Sequence, residues 1–257
     1  MLKLYHFNEA ICGAKVRLTL AEKGVEYVEE IVSRDALVQP EYLHLNPNGV
    51  VPTLLHDDLV LIESSVIMNY IEDEFSGSKL RPGAARDRAA MNMWMKLVDE
   101  VYHPALGALT YALAARRRYL SMSPEAREAS YATIPDPVRR KRRRDVVENG
   151  LEASQIPDAM KALGGMLNRL EATNSSQPWL AGEEYSLADA AMTPIVNRIA
   201  WFGLLEDAPA AAAWFDRVRA RPSYAQVILA RSSETYVKAL GDSAAPHHAQ
   251  LVGLMRG

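Results

Sequence analysis

Two short stretches of the chain carry residue types that could bind a small peptide. Glu63-Ser64-Ser65 follows one apolar run and precedes another, so its serines stand where a helix is predicted to begin. Free N–H groups and the positive end of the helix dipole favour a carboxylate there, and Glu63 could hold an ammonium group. Val51 precedes Pro52, which cannot donate to a strand ladder, so the Val51 backbone could pair with another extended chain. Together these stretches predict a site for an extended peptide with an amino-acid head group. An ordinary capped helix after a hairpin is the alternative.

The single cysteine, Cys12, lies where the first predicted loop passes into the first predicted helix. A thiol at a helix N-terminus has a pKa below the free value of about 8.5, which favours a nucleophilic or redox role. The alternative is a small buried apolar residue. Asn8 supplies an amide donor in the same loop. One cysteine cannot form an intrachain disulfide, so we expect a reducing, cytoplasmic location.

The elements around these residues predict an α+β fold. A strand, a helix, a second strand, a hairpin and another helix follow one another at 2–7, 12–23, 27–32, 50–62 and 66–75. This order is a thioredoxin-like βαβ-ββα arrangement, with its first two strands parallel. We therefore expect an N-terminal domain over 1–78, which would contain both stretches described above.

The rest of the chain has no convincing strand pattern. We expect a linker over 79–86 and an all-α C-terminal domain over 87–257, with an irregular insertion of short helices and turns near 119–157. Ser186 and Asp189 are three residues apart before an apolar run, which predicts a capping box. The tail from Gly241 onward is expected to be partly disordered.

The segments NPNGVVPTL and LIESSVIMNYIEDEF resemble the glutathione-binding half of the cytosolic glutathione S-transferases. The resemblance implies that Val51, before a cis-Pro52, pairs with the cysteinyl backbone of glutathione. It also implies that Glu63 and Ser64 hold the γ-glutamyl end. The glycine carboxylate would then lie near Gln39, Arg34 or Asn48.

The same resemblance implies how the thiol of glutathione is activated. Counting back from Lys15-Val16-Arg17, the usual serine or threonine position falls on Ala10, which has no hydroxyl. Cys12 falls where other classes of the family carry a cysteine. Ile134-Pro135-Asp136-Pro137, together with the neighbouring arginine cluster, resembles the subgroup around the bacterial β-aryl etherases.

The resemblance implies a homodimeric glutathione transferase that activates glutathione to attack a small hydrophobic electrophile, with an aryl ether in the etherase manner as one candidate. The expected pocket for this second substrate is lined by Phe7, Tyr102, Tyr111 and Trp201. Two alternatives remain open: a glutathione-dependent thiol-disulfide reductase that uses Cys12, and a binding or scaffolding protein without turnover.

Charge and composition limit the other partners. The formal net charge is −3, with 49% hydrophobic and 24% charged residues, so we expect no nucleic-acid partner. The arginine runs at 116–118 and 139–144 are interpreted as solvated helix faces. No apolar run approaches a membrane span, and no histidine or cysteine spacing is typical of a metal site.

Overall fold

A four-stranded sheet forms the N-terminal half of the computed structural model, which describes residues 1–205 and 208–257. Its strands are β1 (Leu2–His6), β2 (Val28–Ile31), β3 (Thr53–His56) and β4 (Leu59–Ile62). They lie in the order β2-β1-β3-β4, where β1 is parallel to β2 and antiparallel to β3, and β3 is antiparallel to β4. The predicted thioredoxin-like arrangement is confirmed.

Three helices accompany the sheet: α1 (Ile11–Lys23), α2 (Pro40–Leu45) and α3 (Ser64–Glu74). Gly24 ends α1 with a φ of +66°, a left-handed conformation that costs glycine little. The sequence pattern did not predict α2, which has only six residues. Leu4 of β1, Leu18 of α1 and Ile67 of α3 are fully buried in one hydrophobic core, because each lies on the inner face of its element.

The C-terminal half is helical in the part that the structure describes, as predicted. Its helices are α4 (Ala85–Leu97), α5 (His103–Thr110), α6 (Arg116–Leu120), α7 (Pro124–Ala132), α8 (Pro137–Asn149), α9 (Ile156–Asn174), α10 (Leu187–Trp201), α11 (Pro209–Arg219), α12 (Pro222–Val227), α13 (Glu234–Ala244) and α14 (His248–Arg256). One-turn π-helical segments, Val98–Tyr102 and Tyr111–Ala115, bracket α5. Such segments often mark functional positions because they shift the register of side chains along a helix.

The segment predicted to be an irregular insertion contains two regular helices, α7 and α8. Ser123 caps α7 through the Ala126 amide, and Asp136 caps α8 through the Arg139 amide at 2.8 Å. The thirteen-residue α8 is longer than the short helices that we expected. Its arginine run has no apolar period, but Asp136 followed by Pro137 is a start signal that the pattern-based interpretation missed.

The prediction of a partly disordered tail is wrong. Residues 234–256 form α13 and α14, and Leu240, Ala244 and Leu251 are buried. The backbone of Met255 approaches Gly164 of α9 so closely that a Cβ there would lie 1.9 Å from the Met255 carbonyl oxygen. The tail is therefore packed against α9 at a position that only glycine permits.

The capping box at the start of α10 is confirmed. Asp189 is fully buried, and its Oδ2 accepts hydrogen bonds from the Ser186 amide and hydroxyl, each at 2.9 Å. Its Oδ1 accepts from the Leu180 amide at 3.0 Å and from Trp214 Nε1 at 2.9 Å. One carboxylate thus joins α10 to α11 and to the preceding loop.

No helix within 1–205 and 208–257 combines the length and apolar character needed to cross a bilayer. The same residues contain no group of three or more His, Cys, Asp or Glu side chains arranged to hold a metal ion.

Candidate active site

The loop before β3 presents an unpaired stretch of backbone at Val51. The Val51–Pro52 peptide bond is cis. The Val50 carbonyl accepts hydrogen bonds from the Tyr42 hydroxyl at 2.7 Å and from Asn46 Nδ2 at 2.8 Å, which fixes the loop. Within the described residues, no hydrogen bond engages the Val51 backbone. These groups can therefore pair with an extended ligand.

The N-terminus of α3 lies beside this loop, and its first residue is Ser64. Glu63 precedes it with a φ of +68°, which is uncommon for a residue with a side chain and is typical of functional sites. No side chain caps this helix end. Asn48 Nδ2 lies 3.5 Å from Glu63 Oε1, so the two predicted residues are neighbours. An open helix N-terminus beside a carboxylate suits the zwitterionic head of an amino acid.

A fully buried lysine, Lys15, lies directly behind these serines. Its ammonium donates to Ser64 Oγ at 2.9 Å, to Ser65 Oγ at 3.1 Å and to Asp99 Oδ1 at 2.5 Å. All three donors are therefore used, and the Asp99 carboxylate balances the charge. Because the Ser64 oxygen already accepts from Lys15, its own hydrogen is free to donate to an anion.

Cys12 faces a histidine that the sequence pattern did not indicate. Its Sγ lies 3.7 Å from His103 Nε2 and 4.0 Å from His103 Nδ1. Burial raises the pKa of the Cys12 thiol, but His103, Lys15 and the Ser64 hydroxyl together outweigh burial and lower it to about 7. The Cys12 thiolate in turn raises the pKa of His103. The two groups therefore favour a thiolate–imidazolium pair.

The N-terminus of α1 is also open. Ala10 occupies the N-cap position and offers no side-chain hydrogen bond. Within the described residues, the amides of Ile11, Cys12 and Gly13 have no backbone partner. A Cβ on Gly13 would lie 3.2 Å from the His6 Cβ, so the chain approaches closely there. Three free N–H groups at a helix N-terminus can stabilise a thiolate.

The residues predicted to line the second-substrate pocket separate into two groups. Phe7 is covered by the Arg34 guanidinium at 4.8 Å, Tyr111 by that of Arg143, and the Trp201 ring lies 6.2 Å from Tyr236. Tyr102 is instead buried against Trp94 in the helical core, with ring centroids 6.4 Å apart. The structure therefore does not bring Tyr102 to the other three.

Asn8 and Gln39 do not contact Cys12 or Glu63. The Asn8 side chain lines a cavity of about 20 Å³ with Arg198 of α10, and its Oδ1 is buried without a hydrogen-bond partner in the described chain. Gln39 is exposed, and its Nε2 donates to the Asp35 carbonyl at 3.3 Å. Their predicted roles in thiol activation and glycine-carboxylate binding remain predictions.

The comparisons with known proteins agree with this geometry. Residues 1–73 match the family model for the glutathione S-transferase N-terminal domain, and residues 122–222 match that for the C-terminal domain. The chain belongs to the glutathione S-transferase family. It is a glutathione transferase, and glutathione is its co-substrate.

Two bacterial proteins and one plant protein illustrate the range of relatives of this transferase. Protein LigF of Sphingobium sp. (strain NBRC 103272 / SYK-6) is 33% identical over 92% of this chain and 96% of its own length. Glutathione S-transferase 3 of Zea mays is 30% identical over 89% and 94%. Tetrachloro-p-hydroquinone reductive dehalogenase of Sphingobium chlorophenolicum is 28% identical over 87% and 94%.

Solved structures give the same result for the transferase fold. The crystal structure of beta-etherase LigF from Sphingobium sp. strain SYK-6 superposes with a TM-score of 0.81 at 32% identity, covering 89% of this chain and 99% of that one. Glutathione transferase F7 from Populus trichocarpa superposes with a TM-score of 0.70 at 26% identity, covering 91% and 100%.

Sequence analysis missed three residues that contact the candidate site: Lys15, Asp99 and His103. Lys15 is three residues after Cys12, so helical periodicity alone places the two on one side of α1. Asp99 and His103 are 84 and 91 residues away from their partners, so only the packing of the two halves brings them together.

Proposed function

We propose that the transferase binds glutathione in an extended conformation across Val51 and the N-terminus of α3, with its sulfur at the N-terminus of α1. The unpaired backbone of Val51 suits the cysteinyl unit, and Ser64 with Glu63 suits the γ-glutamyl head. The observation that carries this proposal is the position of the Cys12–His103 pair, beside three unpaired amides and against Ser64. A glutathione thiol bound there would lie beside a proton acceptor, the Cys12–His103 pair, and beside N–H donors that can stabilise its thiolate.

Activation of glutathione then follows from two parts of the site. The Cys12 thiolate accepts the proton of the glutathione thiol, and His103 stabilises the charged form of Cys12 before the transfer. The amides at the start of α1 stabilise the new glutathione thiolate. These N–H donors take the place of the hydroxyl that Ala10 cannot supply.

We propose that the activated thiolate cleaves an aryl ether. The sulfur attacks the carbon that bears the ether oxygen, the C–S bond forms as the C–O bond breaks, and the phenolate leaves and takes one proton. Thioether and phenol are then produced in equal amounts. Support comes from the likeness to the beta-etherase LigF over nearly the whole chain.

The test uses a β-aryl ether whose phenol is fluorescent only after release. We expect glutathione-dependent fluorescence and a thioether of matching mass in equal amounts. Normal conjugation of a chloronitroaromatic compound without phenol release would contradict ether cleavage while leaving thiol activation in place.

A second candidate is glutathione-dependent disulfide reduction, which the lowered pKa of Cys12 favours. Here the Cys12 thiolate attacks the glutathionyl sulfur of a mixed disulfide and releases the other thiol. A second glutathione then frees Cys12 as glutathione disulfide leaves. Cys12→Ala should abolish this reduction, and it should also lower conjugation because Cys12 is the proposed proton acceptor there. Lost reduction with unchanged conjugation would restrict Cys12 to disulfide reduction and would contradict its role in activating glutathione.

We also propose that the transferase is a cytoplasmic homodimer. Val66 of α3 and Met93 of α4 each expose about half of their surface, which would be covered in a dimer. Light scattering after size-exclusion chromatography should give the mass of two chains. A monomer at micromolar concentration would contradict this. The single cysteine suits a reducing compartment.

A further inference from the structure

An open path runs along α5 away from Cys12. His103, Gly107 and Tyr111 are successive members of one i, i+4 row, and eight residues of helix span about 12 Å. Apart from the adjoining residues and the backbone of its own helix, no described heavy atom lies within 4 Å of the position that a Cβ on Gly107 would take. The row therefore borders open space between the thiol site and the ring of Tyr111.

An arginine without a carboxylate partner lies at the far end of this path. The guanidinium carbon of Arg143, from α8, is 3.2 Å from the centroid of the Tyr111 ring, and its Nη1 donates to the Tyr119 hydroxyl at 3.2 Å. Among the described residues, no carboxylate lies within ion-pair distance of Arg143. A guanidinium stacked on a ring keeps its edge free, so its other N–H groups can still take a carboxylate.

A second such arginine, Arg34, lies near the same tyrosine ring system. Its guanidinium is over the Phe7 ring, and it has no hydrogen bond or ion pair within 1–205 and 208–257. Burial raises the pKa of Tyr236, and both Arg34 and Tyr111 lie near enough to its hydroxyl to contribute. Arg34 and the Tyr111 ring under Arg143 therefore both lie in the neighbourhood of Tyr236.

The charge in this region is predominantly positive. Arg139 precedes Arg143 by one helical turn and donates from Nη2 to the Asn48 carbonyl at 2.8 Å, and Arg198 lies over the Tyr236 ring. The nearby carboxylates are those of Asp136, which caps α8, and of Glu9. Binding of neutral hydrophobic molecules alone would not favour arginine side chains beside the second-substrate site, because desolvating an unpaired charge is costly.

We infer that the second substrate of this transferase carries a carboxylate, which binds Arg143 and Arg34 while its electrophilic carbon lies at the start of α1. This inference rests on the proposed function and names the class of electrophile. The glycine carboxylate of glutathione has the same chemistry. It would lie nearer Asn48 and Arg139 than Tyr111, and the experiment separates the two sources.

The experiment compares two electrophiles that share the same reacting ring and differ only in their terminal group, N-(4-chloro-3-nitrobenzoyl)glycine and its glycinamide. In both, the glutathione sulfur displaces chloride, and the terminal group extends beyond the ring towards Arg143. We expect the parent protein to prefer the carboxylate, and Arg143→Gln to lower the carboxylate-to-amide ratio of kcat/KM about tenfold. Arg142→Gln removes the same charge from an exposed neighbour on α8 and should leave the ratio unchanged.

Three outcomes would overturn the inference. They are an equal loss for both electrophiles in Arg143→Gln, a raised KM for glutathione with both electrophiles, and no preference for the carboxylate in the parent. The first would mean that Arg143 only packs against Tyr111, and the second that it binds the glycine carboxylate. Arg34→Gln tests the second arginine in case Arg143→Gln does not fold, because Arg34 has no hydrogen bond or ion pair within 1–205 and 208–257.

Calorimetry with the two corresponding glutathione conjugates measures the same preference without turnover. A chain that released no phenol from the β-aryl ether would contradict the proposed ether cleavage, and its affinities for the two conjugates would still decide the inference. Tighter binding of the carboxylate conjugate, lost in Arg143→Gln, supports it. Equal affinity for the two conjugates overturns it.

Discussion

Replacement of His103 tests the origin of thiol activation directly. In the structure, His103 is the main group that lowers the pKa of Cys12 to about 7, against the opposing effect of burial. His103→Gln keeps a polar side chain of similar length but cannot carry a charge. We therefore expect the pKa of Cys12 to rise to the free value of about 8.5 or above.

The magnitude follows from the two pKa values. At a pKa of about 7 roughly half of Cys12 is thiolate at pH 7, whereas at about 8.5 roughly 3% is thiolate. The difference corresponds to about 2 kcal/mol of stabilisation of the thiolate relative to the thiol. At neutral pH, the thiolate fraction should therefore fall more than tenfold in His103→Gln, and alkylation by iodoacetamide should slow about threefold, because a thiolate of higher pKa is the stronger nucleophile.

The assay is unambiguous because Cys12 is the single cysteine in the chain. The alkylation rate and the ultraviolet absorbance of the thiolate, each followed against pH, report the same titration. His44→Gln, which changes an exposed histidine on α2, is the matched control and should titrate like the parent. A parent thiol that titrates at about 8.5, or a midpoint unchanged in His103→Gln, would refute the reasoning.

Three further predictions concern binding, pH and folding. Glu63→Ala should weaken glutathione binding only about fivefold by calorimetry, because Glu63 is exposed and solvent screens its ion pair with the ligand. Glu74→Ala, at the other end of α3, is the control and should not change the affinity. Equal affinities of Glu63→Ala and the parent for glutathione would exclude Glu63 as a ligand. Burial lowers the pKa of His6 to about 4, so the free energy of unfolding should fall as pH falls from about 6.5 towards 4, by about 1.4 kcal/mol at pH 5.5. Denaturant titrations of His6→Gln should lack this dependence of the unfolding free energy on pH, and an unchanged dependence would contradict the prediction. Asp189→Ala leaves the N–H groups of Leu180, Ser186 and Trp214 without their acceptor, which costs roughly 1–3 kcal/mol of stability each. The melting temperature and soluble yield should therefore fall while activity per folded molecule persists. A normal melting temperature with lost turnover would show that Asp189 has a catalytic role.

Features with a local cause were predictable from the sequence. The capping box needs only Ser186 and Asp189 at a spacing of three, and the hairpin needs only a short apolar run on each side of Asp57-Asp58. The residues themselves do not determine the isomer of the Val51–Pro52 bond, because both isomers are compatible with them, and only the family resemblance implied a cis bond. The structure shows it to be cis.

Features that depend on packing between distant segments were missed or mistaken. His103 lies 91 residues from Cys12, so nothing near either residue indicates the pair. The tail contains Ala, His and Pro and resembles a disordered end. It is ordered because Gly164 of α9 has no side chain, which leaves a surface on which the backbone of the tail can pack closely. A single sequence does not reveal that surface, since the small residue and the helix that needs it are about 90 positions apart.

The arrangement around Lys15 limits how the two halves of the protein can be recombined. One ammonium group from α1 holds both serines at the end of α3 that we propose binds glutathione, and a carboxylate, Asp99, that belongs to the helical half. A chimera that joins residues 1–78 to another helical domain would leave that buried cation without its counter-charge unless the new domain supplied an acidic residue at the position of Asp99. The helical half therefore supports the proposed glutathione site through a residue that need not touch glutathione.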